Sequence, residues 1–309
     1  MGKRFGTLFW KYGTRPKSWL VSGMTNTPLF FLHFPRTAGT TVDDIFFNNI
    51  PENQILKIYS RDEFNRNRFI DETEFYNLQY ITGHLLLSSL NPTQIYGRNV
   101  RAFTFLRNPV KRLYSEYIFL KTWKEQHLYE YLNTHSVSFT QYITSTEKIL
   151  KYRGKNFMTR CLSGDSLENG NIKESLEKAK SNLKNSFIFF GIQERFMESI
   201  FALSKKIGLK NIIHQKRNAL NYSSIPEKIS PEEEEIAREY NSADIELYNF
   251  ARDIFEKRIK AEGAAFQAGL KNYLLINSKF QNISNLLYKK AHSAQNNSQS
   301  INLPKNTNW

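Results

Sequence analysis

The sequence predicts an α/β domain with three layers, α/β/α, around a central and mainly parallel sheet. Short apolar runs of strand length alternate with stretches whose apolar residues recur at helical spacing, and turn-forming clusters lie between them. A chain of 309 residues with 40% hydrophobic side chains is long and apolar enough to bury such a core.

The first strand is predicted over Leu29-Phe30-Phe31-Leu32-His33-Phe34, and Pro35-Arg36-Thr37-Ala38-Gly39-Thr40-Thr41 breaks it. Val42, Ile45, Phe46 and Ile50 then mark a helix whose threonine-rich start supplies capping hydroxyls. Leu78-Gln79-Tyr80-Ile81-Thr82 reads as a second strand, ending at Gly83-His84. Ala102-Phe103-Thr104-Phe105-Leu106 is a third, followed by a turn with Asn108 as N-cap and Pro109 at the first helical position. Val110, Leu113, Tyr114, Tyr117 and Ile118 line the apolar face of that helix. A fourth strand, Phe187-Ile188-Phe189-Phe190, ends at Gly191, and Ser230-Pro231-Glu232-Glu233 has the form of a capping box. In a parallel sheet these turns share the rim at the carboxyl ends of the strands, where ligands bind.

From residue 256 the pattern changes. Phe266, Tyr273, Phe280 and Leu287 fall seven apart, with Ile276 and Ile283 between them, which predicts a long amphipathic helix with a basic outer face. Such a helix packs on its own domain, pairs with a partner helix, or rests weakly on an anionic membrane surface. The predicted organisation is a basic extension at 1–24, a main domain at 25–255, a helical extension at 256–290 and a disordered Asn-, Ser- and Gln-rich tail at 291–309.

The formal net charge of +14 raises the question of nucleic acid, but its placement argues against one. Residues 1–24 hold five basic and no acidic side chains, residues 256–309 hold eight and two, and the stretch between is left with 30 and 27. Lone Cys161 excludes a disulfide-stapled module. No apolar run approaches the ~18 residues of a membrane span, and with no signal peptide visible the expected location is cytoplasmic. No His/Cys cluster has metal-ligand spacing, so no metal is expected.

The first turn suits an anion: Gly39 and its small neighbours let backbone N–H groups converge, the helix adds its positive end, Thr40 and Thr41 add hydroxyls, and Arg36 adds a full charge. It is not an ATP-type loop, because G-x-x-x-x-G-K-[ST] needs glycine and lysine where Phe34 and Thr40 stand. The second turn places Arg107 at a strand end and Ser115 two helical turns on, with Arg112 three residues before that serine, so a guanidinium and a hydroxyl can share a second phosphate. Seven basic residues and only Glu116 as an acid lie between Arg98 and Lys124. Two such loops on one rim predict a ligand with two separated anionic groups.

FLHFPRTAGTT resembles the 5′-phosphosulfate loop, and FTFLRNPVKRLYSEY the 3′-phosphate motif, of sulfotransferases that use 3′-phosphoadenosine 5′-phosphosulfate (PAPS). Within that superfamily the chain is most similar to the carbohydrate O-sulfotransferases, through Gly83-His84, through Asn156-Phe157-Met158-Thr159-Arg160-Cys161-Leu162-Ser163-Gly164 and through Phe190-Gly191-Ile192-Gln193-Glu194-Arg195-Phe196. The resemblance covers roughly residues 28–255. It implies a P-loop-like nucleotide-binding fold, PAPS as sulfuryl donor without bound magnesium, and a glycan or other hydroxyl compound as acceptor. Arg36 stands where the family usually has a lysine that meets the departing phosphate, which keeps the charge but changes its geometry. The resemblance further implies that Thr37, Ala38, Gly39, Thr40 and Thr41 cradle the 5′-phosphate, and that Arg107 and Ser115 bind the 3′-phosphate.

His84 is the candidate general base, because sulfuryl transfer to a hydroxyl needs a group that removes the acceptor proton. His33, inside the first strand, is its main rival and reads as core or pocket wall; Asp43, Asp44 and Glu52 are weaker rivals. Asn156 and Arg160 either line a pocket or sit at a solvated helix end, and Lys216-Arg217-Asn218 is a basic loop. The aromatic stretch 117–142, with Tyr117, Phe119, Trp123, Tyr129, Tyr131, Phe139 and Tyr142, is either core or a sugar-stacking surface. A nucleotide kinase or NTPase on a related scaffold, and a non-catalytic binding protein of the same fold, are the competing readings. A nucleic-acid-binding module lacks any recognisable motif.

Overall fold

A computed structural model of the chain describes residues 27–84, 94–150, 154–165, 171–215 and 229–299. Strand β1 (Leu29–Leu32) leads into α1 (Gly39–Phe47), β2 (Ile55–Ile58), α2 (Arg61–Arg66), α3 (Glu72–Asn77) and β3 (Tyr80–Gly83). The two-residue strands β4 (Gln94–Ile95) and β5 (Arg98–Asn99) form a small antiparallel ribbon before β6 (Arg101–Leu106). Helices α4 (Pro109–Thr122), α5 (Tyr129–Thr134), α6 (Phe139–Thr144), α7 (Phe157–Ser163) and α8 (Ile172–Asn185) follow, then β7 (Phe189–Ile192), α9 (Phe196–Ile207), α10 (Pro231–Tyr240), α11 (Ser242–Ala261) and α12 (Ala264–Gln299).

Five strands make one sheet in the order β2-β3-β1-β6-β7, and every pairing in it is parallel. Strands β1, β3, β6 and β7 are buried almost throughout because both faces are covered, whereas β2 at the edge keeps Lys57 exposed. On one face Phe31 stacks on Phe103, and Phe46 of α1 stacks on Tyr80 and Phe103. Gly191, on the same face, comes within contact of Ser199 of α9. On the opposite face the Arg258 guanidinium of α11 lies 4.7 Å above the Phe190 ring. Helices on both sides of a parallel sheet give the three layers the sequence predicts.

Chain order fixes where a ligand can enter. From β1 the chain passes outward through α1 to β2, whereas from β6 it passes through α4 to α8 to β7 at the other edge. The two connections diverge between adjacent strands β1 and β6, and the opening this leaves at their carboxyl ends is the binding crevice of open α/β sheets.

A second apolar cluster explains the aromatic stretch. Tyr117, Phe139 and Tyr142 are buried with Leu113, Leu128 and Leu132, and α10 closes over them through Ala237. Those three rings are core, Phe119, Tyr129 and Tyr131 are half-buried, and Trp123 stays 47% exposed. At the far end, α11 runs through the 255/256 boundary drawn from the sequence, and Phe266, Leu270 and Tyr273 of α12 belong to the main core. Phe266 and Tyr273 both pack on the Phe201 ring of α9, and Asn277 accepts a hydrogen bond from the His214 amide at 2.9 Å. Further along, Ile276, Phe280, Ile283 and Leu287 are exposed. The stretch read as a disordered tail is helical as far as Gln299. Residues 1–24 and 300–309 lie outside the described residues, as does the basic loop Lys216-Arg217-Asn218. Among the described residues no helix is long and apolar enough to cross a membrane.

Candidate active site

The turn after β1 is an irregular, left-handed bend. Arg36 and Ala38 have φ of 67° and 66°, a conformation that costs an L-residue about 1–2 kcal/mol. Left-handed residues in a turn that opens a helix are a setting in which successive backbone N–H groups can converge on an anion. The threonines do not cap the helix as the sequence suggests: no side chain caps α1. Thr37 is buried and spends its hydroxyl on the Phe34 carbonyl at 2.8 Å, Thr41 is also buried, and Thr40 alone of the three is exposed. Gly39 is required here by close approach, since a Cβ would meet Nε2 of His33 at 1.7 Å. His33 is therefore the wall of this loop, 8% exposed, and not a residue of the deep core.

The turn after β6 follows its local sequence closely. The Asn108 side chain accepts from the Lys111 amide at 3.1 Å and Pro109 occupies the first turn of α4. Glu194, just after β7, holds the turn from outside by accepting from the Asn108 amide at 2.9 Å and the Tyr248 hydroxyl at 3.0 Å. Nothing in local spacing marks Glu194 for that task, because its partners lie 86 and 54 residues away.

Adjacency of β1 and β6 brings the two turns together. Arg107 donates through Nη1 to the Arg36 carbonyl oxygen at 2.8 Å, and Arg36 donates through Nε to Oγ of Ser115 at 3.1 Å. The Arg36 guanidinium lies 4.7 Å from the centre of the Phe119 ring. Arg112, expected beside Ser115, is instead fully buried and turned into the body. It pairs with Glu116 at 2.8 Å, donates to the Gly154 carbonyl at 3.1 Å and stacks over Phe157. Arg36 takes the place at Ser115 that the sequence gives to Arg112.

These cations are poised for an anion. Burial pushes the Arg107 guanidinium down to about 10; the Glu194 carboxylate opposes this, and the like charges of Arg36 and Arg112 add to it. The Nε of Arg107 is buried without a hydrogen-bond partner. An anion placed beside Arg36 and Arg107 relieves the repulsion between the guanidinium groups, so the pair suits a negatively charged ligand.

On the other side of the loop, β3 ends at Gly83, where a Cβ would lie 1.8 Å from the Ile58 carbonyl oxygen of β2. The close contact sets His84 against the end of β1. Nδ1 of His84 is 2.7 Å from the His33 carbonyl oxygen. A carbonyl only accepts, so Nδ1 carries the proton and Nε2 keeps the basic lone pair. His84 is an exposed residue, while its ring packs on His33 and Tyr59 with centroids 4.5 and 5.0 Å away. Desolvation on the packed side lowers its pKa, while the His33 carbonyl and Asp43 pull it back up.

Asp43 lies behind this pair, 4% exposed. One carboxylate oxygen accepts from the Tyr80 hydroxyl at 2.8 Å and the other from the Tyr59 hydroxyl. Burial still raises its pKa, with those bonds and Thr82 opposing. His33 Nδ1 is 3.6 Å from Asp43, too far for a hydrogen bond, and burial followed by the nearby His84 drives the His33 pKa down, so the two are not an ion pair. Asp43 places a carboxyl group, held by two tyrosine hydroxyls, beside the imidazoles. Tyr59 and Tyr80, which hold it, carry no motif that would have singled them out.

Asn156, one of the residues with an open role, caps helices. Its side-chain oxygen accepts from the Ala243 and Asp244 amides at 3.1 and 3.2 Å, and its own amide donates to Asn241 at 2.9 Å. Asp244 returns the contact by accepting from the Met158 and Thr159 amides, so the starts of α7 and α11 cap each other. Arg160 donates to the Lys155 carbonyl oxygen at 3.0 Å. Cys161 is buried, and burial raises its pKa beyond use as a thiolate. No group of three or more His, Cys, Asp or Glu suited to a metal occurs among the described residues.

A parallel sheet whose switch point brings two arginine-bearing turns together, beside a histidine of fixed tautomer, has the layout of a site for an anionic ligand. The family model for galactose-3-O-sulfotransferases matches residues 15–283, and the chain belongs to that family. No curated protein matches the sequence significantly. Among solved structures, mouse sulfotransferase SULT7A1 complexed with PAP aligns at 10% identity with a TM-score of 0.36, over 86% of this chain and 90% of that one. A sulfotransferase from Alicyclobacillus acidocaldarius aligns at 12% identity with a TM-score of 0.40, over 79% and 100% respectively.

Proposed function

We propose that this protein transfers the sulfuryl group of PAPS to a hydroxyl of a carbohydrate. The observation that carries the reading is the meeting of Arg36 and Arg107 at the carboxyl ends of neighbouring strands, with an unpartnered buried Nε on Arg107. A donor with a 5′-phosphosulfate and a separate 3′-phosphate supplies two anions for two loops. The concavity from Arg36 to Thr41 is assigned the 5′ group, and Arg107 with Ser115 the 3′-phosphate.

In the proposed reaction the acceptor oxygen attacks sulfur as the bond from sulfur to the bridging phosphate oxygen breaks. The acceptor proton passes to Nε2 of His84, and 3′-phosphoadenosine 5′-phosphate (PAP) leaves with the bonding pair. The protein contributes alignment and charge stabilisation without a covalent intermediate. Arg36 meets charge that grows on the leaving phosphate, and Asp43 stabilises the imidazolium that forms on His84. The family's name supports a carbohydrate as the acceptor.

The reading is tested by thermal shift and calorimetry with PAP against ATP and magnesium. Stabilisation by PAP in the absence of metal is the expected result. A response to ATP with magnesium and none to PAP supports the kinase reading instead, and PAP binding with no turnover of PAPS across a glycan panel supports a non-catalytic binding protein.

A further inference from the structure

Arginine at position 36 is held by more than charge. Its backbone sits in a left-handed conformation, its carbonyl is fixed by Arg107, its Nε donates to Ser115, and its guanidinium carbon lies over the Phe119 ring. Ser115 and Phe119 are four residues apart on α4 and therefore share one helix face, one turn apart. One side chain of that face takes the Nε edge of the guanidinium and the other sets an aromatic ring beneath its central carbon.

We infer that Phe119 is a positioning residue that makes arginine, and not lysine, the effective cation at position 36. A planar guanidinium can stack on a ring and donate from its edge in the same pose. An ammonium has neither a plane nor an Nε, so on the same backbone lysine satisfies one contact at the expense of the other. With edge and face both held, the fork stays in one orientation for the 5′ group of the donor. The inference rests on the proposed PAPS reading for its catalytic consequence, whereas the arrangement of Arg36 on Phe119 is measurable without any donor.

The test is a cycle of wild type, Phe119→Leu, Arg36→Lys and the double variant, each characterised by PAP affinity in calorimetry, kcat and KM for PAPS, and melting temperature. With Arg36 present, Phe119→Leu is expected to weaken PAP binding and lower kcat about 3- to 10-fold, the range of a partly exposed cation–π contact. Phe119→Tyr, which keeps the ring, is expected to retain wild-type values. In the Arg36→Lys background the leucine change is expected to cost nothing further. Equal losses in both backgrounds, or a rise confined to the acceptor KM, would assign Phe119 to the acceptor or to packing and overturn the inference while leaving the sulfotransferase reading intact. If no variant binds PAP the donor reading falls. The arrangement is then decided by the ¹⁵N–¹H resonance of Arg36 Nε in ligand-free protein. A signal protected from exchange in wild type and lost in Phe119→Leu supports it, and equal exchange in both contradicts it.

Discussion

His84 donates the proton on Nδ1 to the main-chain carbonyl oxygen of His33 at 2.7 Å, and this one contact fixes which nitrogen of His84 can act as a base. The carbonyl lies at the end of β1, the strand that also delivers the anion loop. The proposed base and the proposed donor loop are thereby mounted on the same piece of backbone.

Replacing His84 with Ala or Gln is expected to lower kcat by about 10²- to 10⁴-fold, the range of general-base assistance, with PAP affinity unchanged. Single-turnover rates and calorimetry measured on the same preparations check both halves. A loss of PAP affinity that accounts for the lost rate would make His84 a binding residue.

The pH dependence has a definite sign. In the proposed reaction His84 works unprotonated, and its pKa is lowered by burial, so the acid limb of kcat is expected below the ordinary histidine value of about 6.5. The Asp43 carboxylate favours the imidazolium, so Asp43→Asn is expected to move that limb to still lower pH and to reduce the plateau rate. A limb that stays in place in Asp43→Asn, with the fold intact by melting temperature, would remove Asp43 from the account. The same lowered values for His33 and His84 mean that the unfolded chain binds more protons near and below pH 6.5. Their contribution to folding stability is therefore present above that pH and is lost as the pH falls towards the folded-state values.

Arg107→Ala removes the buried guanidinium assigned to the 3′-phosphate. Charge-assisted hydrogen bonds are worth about 1.5–3 kcal/mol, so PAP affinity should fall roughly 10- to 150-fold while affinity for adenosine 5′-phosphosulfate, which lacks the 3′ group, changes much less. Calorimetry with both nucleotides separates the two. An equal loss for both ligands would mean that Arg107 supports the loop through the Arg36 carbonyl and does not read the 3′-phosphate.

Asn156→Ala tests the mutual capping of α7 and α11. It leaves the Ala243 and Asp244 amides without their side-chain acceptor inside the protein, and each unsatisfied buried group costs about 1–3 kcal/mol. A marked fall in urea midpoint is expected, with kcat unchanged in the folded fraction. Unchanged stability would mean that water or a neighbouring group replaces the cap.

What the sequence shows and what it hides follow from the range of the interactions. The turns after β1 and β6 are legible because strand, turn and helix start are local patterns, and Asn108 and Pro109 do what their types predict. The meeting of Arg36 with Arg107 depends on strand order, which joins residues 71 apart. Arg112 misleads because spacing on a helix names its neighbours but not the side that is buried, and the Gly154 carbonyl that holds Arg112 comes from another segment. Strand β2 is hidden by being an edge strand of four residues with Lys57 in its middle. Tyr59 and Tyr80, which hold Asp43, come from β-strand ends 16 and 37 residues away, and no pattern in one sequence links them.

The central claim is sulfuryl transfer at the crevice between β1 and β6, and the most direct measurement is transfer of label from ³⁵S-PAPS to a panel of galactose-terminated and acidic glycans, with product and PAP quantified together. Wild-type protein is expected to form labelled glycan and PAP in equal amounts without added metal, with His84→Ala and Arg107→Ala reduced as above. PAPS bound without label appearing in any glycan, or transfer that survives loss of both residues, would contradict it.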